Sequence, residues 1–118
     1  MDRAKFESLV EEAFASLPRK FRERIENLAV LVAESPPRRR PSRAPTSALL
    51  GLYHGVPLMD RGSFYGNVPP DVIVIYQEPI ERLSASEDEV KERIREVVLH
   101  EVGHYFGLSE KDLQDIEE

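Results

Sequence analysis

Apolar residues recur at helical spacing through residues 2–15, where Phe6, Leu9, Val10, Ala13 and Phe14 alternate with acids and one lysine. That pattern predicts an amphipathic helix, stopped at Leu17-Pro18 because proline supplies no backbone donor. A further turn or two of helix is expected from Arg19 to Asn27, with Phe21, Ile25 and Leu28 turned inward. The short run Leu28–Ala33 is apolar throughout and rich in β-branched residues, so it reads as a buried strand. Residues 49–58, LLGLYHGVPL, read as a strand with a bend marked by glycine, and Val72–Tyr76, VIVIY, as the strongest strand of the chain. Pro57, Pro69, Pro70 and Pro79 stand near these strands and place at least one of them at a sheet edge. From Ser86 a long helix is expected, since Ser86 and Glu89 have capping-box spacing and Glu87 and Asp88 suit the positive end of the helix dipole. Its apolar residues first form a stripe (Val90, Ile94, Val97) and then surround it (Val98, Leu99, Val102, Tyr105, Phe106), as in a helix entering a core. Gly107 is placed to end it in a left-handed conformation, and Ser109 opens another short helix with Asp112 at its third position. Three or four strands between helices at both ends give an α+β fold with a small mixed sheet, too few strands for a doubly wound one.

Composition narrows this picture. The chain has 118 residues, the size of one domain, and contains no cysteine, so disulfides and thiolate ligands are excluded and any transition metal must be held by imidazole and carboxylate. The net charge of −6 argues against nucleic acid as a partner. Residues 36–47, PPRRRPSRAPTS, hold four arginines and no acid, and are expected to be a mobile solvated connector. The alternative is that Arg38, Arg39, Arg40 and Arg43 meet an acidic partner. The charged amino terminus has no signal-peptide core and no apolar run has bilayer length, so a cytoplasmic location without a membrane partner is expected.

The chemistry is concentrated in His100-Glu101-Val102-Gly103-His104. Four residues apart on a helix, His100 and His104 project from one face and can converge on one tetrahedral ion, for which zinc is the expected choice. Glu101 is the candidate catalytic residue, positioned to take a proton from a metal-activated water. The ordinary alternative is a chance helix carrying unrelated polar residues. The apolar flanks weigh against it, because burying two histidines and a glutamate without a shared purpose costs a few kcal/mol each.

Catalytic zinc needs a third protein ligand. The continuation H-E-x-x-H-x-x-G-x-x-ligand resembles the metzincins and aspzincins, whose third ligand falls on Glu110 here, with Asp112 as the alternative. Glu110 could equally be a first-turn acid facing solvent, and Asp112 the capping partner of Ser109. No methionine follows the motif, since Met1 and Met59 precede it, so a Met-turn is absent and Tyr76, Tyr105 or Phe106 are candidates to support the ligands. His54 reads as a surface residue, and Tyr53, Tyr65 or Tyr76 as possible sources of oxyanion stabilisation.

From Leu49 to Asp112 the chain resembles the bacterial minimal-zincin family. The resemblance is carried by L-L-G-L-Y-x-G-V-P-L, by V-I-V-I-Y with x-x-P-I after it, and by H-E-V-G-H-Y-F-G-L-S-E-K-D-L. It implies a zincin-like fold, a small sheet packed on the active-site helix with an edge strand bordering the cleft, and a zinc metallopeptidase activity. The family's usual acid at the position of Glu110 is aspartate, one methylene shorter. The expected partner is a peptide or flexible protein segment, bound by a monomer or homodimer. A rival reading is a non-catalytic zincin-like module that binds metal or protein, and a third is an acidic binding domain that retains the motif as a relic.

Overall fold

The structure is a computed structural model that describes residues 1–37, 49–55 and 71–108. Its elements are helix α1 (Arg3–Ala15), helix α2 (Arg19–Arg22), strand β1 (Leu28–Ala33), strand β2 (Gly51–His54), strand β3 (Asp71–Tyr76), helix α3 (Gln77–Arg82) and helix α4 (Glu87–Tyr105). Most of the basic connector, residues 56–58 of the second expected strand and the helix expected after Ser109 lie outside the described residues, as do Glu110 and Asp112.

Helix α1 is capped by Asp2, whose carboxylate accepts from the Lys5 amide at 2.8 Å. It buries Phe6, Val10 and Ala13, the stripe its spacing predicts. The second helix is shorter than expected and stops at Arg22. Beyond it the chain must turn into β1, and Asn27 does so with φ of 51°, a left-handed conformation that asparagine tolerates better than most residues.

The sheet has the order β1-β3-β2, with β1 parallel and β2 antiparallel to β3. The strongest strand in the sequence is therefore the central one. Its Ile73 and Ile75 are fully buried in the core, while Val72 and Val74 on the other face are only partly covered. Helix α4 packs on β2 and β3 and lies against α1, so the core is a layer of helices on one face of a three-stranded mixed sheet. This is the expected α+β architecture.

Helix α3 was not expected, because Pro79 and its surroundings read as a signal for a sheet edge. Proline instead occupies the third helical position, where the backbone amide has no intrahelical partner to lose. Arg3 ties the start of this helix to α1 and β1: its guanidinium donates to Gln77 Oε1 at 2.8 Å, the Val32 carbonyl at 3.2 Å and Glu34 Oε2 at 3.1 Å.

Candidate metal centre

Helix α4 carries the motif, and both of its ends are held by local chemistry. Ser86 Oγ accepts from the Glu89 amide at 3.2 Å, and Glu89 reaches back to the Ala85 amide at 3.3 Å, a capping box shifted by one residue. At the other end Gly107 adopts φ of 80°. The Leu108 amide donates to the Gly103 carbonyl and the Gly107 amide to the His104 carbonyl, both at 2.9 Å. These are the paired bonds of a Schellman cap, and they fix the backbone of the turn that bears His104.

Side-chain packing holds the same turn in place. Tyr105, fully buried, donates its hydroxyl to the Glu26 carbonyl at 2.6 Å and accepts from the Glu26 amide at 2.9 Å. Phe106 stacks on Phe21, with ring centroids 5.2 Å apart. Tyr105 and Phe106 thus anchor the turn that bears His104 to the residues before β1 and to α2. Tyr76 is buried at the end of β3.

His100 and His104 are half-buried, with ring centroids 4.6 Å apart, and Glu101 is buried with 7% exposure. One donor atom from each of the three lies within 4.8 Å of the others. Glu101 Oε1 stands 3.2 Å from His104 Nδ1. A carboxylate on Nδ1 leaves Nε2 of that imidazole to serve as a ligand, an arrangement common among histidines that bind metals. Two imidazoles that can converge on one ion, with a carboxylate beside them to serve as base, suit zinc, so the described residues fit the ion that the sequence implies.

Strand β2 borders this face. Gly51 lies against Val97 and Glu101, and the Tyr53 ring meets Tyr105 edge-on at 6.1 Å, so β2 runs alongside α4 in the same direction. A Cβ at Gly51 would fall 2.6 Å from Val97 Cγ1 and 3.3 Å from Glu101 Cγ. Val97 is β-branched and stiff, and cannot yield cheaply. Gly51→Ala should therefore cost about 1–3 kcal/mol in a urea titration and displace β2 from the helix at the level of Glu101. An unchanged midpoint would show that the approach is looser than these distances.

The remaining candidates fall as follows. His54 is exposed at the end of β2, as expected of a surface residue. The Tyr53 hydroxyl donates to Asp71 Oδ2 at 2.6 Å, so it is committed to the base of the sheet. Tyr65, Glu110 and Asp112 are outside the described residues. Two residues that matter here were not singled out from the sequence. Gly51 carried only the general signal of a glycine within a strand. Arg93 lies within about 40° of His100 and His104 around the helix, some 10 Å upstream along its axis. Its Nε is buried without a hydrogen-bond partner. The signal was its spacing, seven residues before His100 and eleven before His104.

Among the described residues no helix is long and apolar enough to cross a membrane. No functionally curated protein matches the chain. Among solved structures it is similar to a conserved hypothetical protein from Thermo thermophilus, at 17% identity and a TM-score of 0.62, over 90% of this chain and 94% of that one. At that identity the likeness speaks for the fold. Residues 25–118, which include all of the sheet and α4, match the family model described as zincin-like metallopeptidase. The chain belongs to the zincin-like metallopeptidase family.

Proposed function

We propose that this protein is a zinc-dependent peptidase that hydrolyses peptide bonds in short peptides or flexible protein segments. The observation that carries the reading is the convergence of His100, Glu101 and His104 donor atoms within 4.8 Å on one helix face, beside an edge strand of the described sheet. His100 and His104 hold the ion, and the third ligand comes from the segment past Gly107, from Glu110 or from Asp112. A bound zinc supplies Lewis acidity for the scissile carbonyl and makes water a competent nucleophile near neutral pH. Glu101, held in a largely buried position, accepts the proton of the attacking water and passes it to the leaving amine.

The substrate lies extended alongside β2. The Tyr76 amide donates to the Leu50 carbonyl, so the alternation of the antiparallel ladder turns the backbone groups of Gly51 to the outer side, toward such a peptide. Arg93, upstream on the same helix face, offers a cation to a carboxylate of the bound segment.

Zinc titration with a thermal-shift readout, paired with cleavage of a flexible reporter peptide, tests this reading. One zinc per chain should bind and, at a free concentration about 100 times Kd, add about 2.7 kcal/mol of stability. His104→Ala should lose both the shift and the zinc-dependent cleavage. Absence of any shift in the unaltered protein would sink the proposal.

A further inference from the structure

The edge of the sheet opposite the metal helix carries a second groove. A cavity of about 590 Å³ lies between α1 and β1, floored by Val10, Phe14, Val30 and Leu31 and rimmed by Glu7 and Glu11. Leu31 is 53% exposed there.

The backbone beside it is open. The Asp71 amide donates to the Asn27 carbonyl, so in the parallel ladder Ala29 and Leu31 bond to β3, while Leu28, Val30 and Val32 turn their amides and carbonyls outward. Arg3 covers the Val32 carbonyl. Among the described residues nothing pairs with Val30 from that side. Unpaired edges of this kind are templates for an added strand unless they are blunted, and here only one end is.

The charge at the rim selects the occupant. Glu7 and Glu11 are four residues apart on the groove side of α1. Neither has an ion-pair partner among the described residues, whereas Glu12 on the next row pairs with Lys91 at 3.0 Å. Like carboxylates at this spacing repel each other, and a cation between them relieves that repulsion. A second copy of the chain, pairing β1 against β1, would bring the same acids to both sides of the groove in a protein of net charge −6.

We propose that the β1 edge is a docking site for an extended segment of a partner protein in which apolar residues alternate with arginine or lysine. The segment adds to the sheet beside β1 as a further strand. Its apolar side chains lie on the outer face of the sheet beside Leu31, and its cations, on the opposite face with α1, meet Glu7 and Glu11 while their methylene stems run over Phe14. The site is independent of the metal centre, which lies at the other edge of the sheet.

Fluorescence anisotropy with labelled Val-Arg-Val-Arg-Val-Arg and Val-Glu-Val-Glu-Val-Glu tests it on the whole chain. The basic peptide should bind at least about tenfold more tightly than the acidic one. Glu7→Gln with Glu11→Gln should weaken it about fivefold, while the same charge change at Glu92 and Glu96, on α4, should leave it unaltered. Val30→Pro removes an outward amide that β3 does not use, and should weaken binding about tenfold with zinc uptake at His100 and His104 unchanged. Should that variant fail to fold, the exposed glutamate pair carries the test alone. Equal affinity for the two peptides overturns the proposal, as does an equal loss on changing Glu92 and Glu96. A wild-type affinity in the Glu7/Glu11 variant, or a concentration-dependent dimer dissolved by Val30→Pro in a protein that binds neither peptide, also overturns it.

Discussion

Glu101→Gln should lower peptide hydrolysis by about 10²–10⁴-fold while leaving zinc affinity within a fewfold of the unaltered protein. The amide has nearly the carboxylate's shape, so it fills the same largely buried position against Gly51 and keeps β2 in place. It cannot accept the proton of an attacking water. It retains a carbonyl oxygen that can accept from His104 Nδ1, where Glu101 Oε1 now stands at 3.2 Å, so the orientation of that imidazole survives. Single-turnover cleavage and zinc titration on the same sample separate the outcomes. A peptidase loses the first and keeps the second. A module that only binds metal or protein shows no cleavage in either form, and that result would remove Glu101 from the catalytic role while leaving the family and fold untouched.

Phe6→Ala should destabilise the protein by about 3–5 kcal/mol, near the upper end for a single core truncation. Phe6 is fully buried where α1 meets the core cluster that includes Ile73, Ile80, Ile94 and Val98. Deleting its ring removes apolar burial and leaves a cavity that the β-branched neighbours fill poorly. In a domain of this size the loss corresponds to a fall of roughly 10–20 °C in Tm. Leu31→Ala is the matched control, since its side chain is more than half exposed and should change stability by no more than about 0.5 kcal/mol. A fall of less than about 5 °C for Phe6→Ala would mean that α1 is docked more loosely on the core than its burial indicates.

Both predictions concern residues whose helical setting was legible beforehand, and the places where the reading fell short share one character. The turn into β1 and the third position of α3 depend on what surrounds a residue. Arg19–Asn27 has enough apolar residues for a helix, yet α2 ends at Arg22 and Asn27 goes left-handed to deliver Leu28 to the sheet. Pro79 is compatible with a strand edge or with the first turn of a helix, and the fold places it in the second setting, at the third position of α3. Arg93 and the two histidines share a face by simple periodicity, but nothing in that spacing says which residue lacks a partner.

What the sequence determined by itself was local. Helix α1, the capped long helix, the central strand, and the His100, Glu101 and His104 constellation each rest on spacing within about one or two helical turns, where backbone periodicity alone decides which side chains are neighbours. Tertiary structure decided the rest. Gly51 lies under Glu101, Tyr105 is bonded to Glu26 across 79 residues, and β1 rather than β3 is left with an open edge and a groove beside it. These contacts depend on strand order and register, which are set by how all the apolar faces are buried at once. No short stretch of residues carries that information.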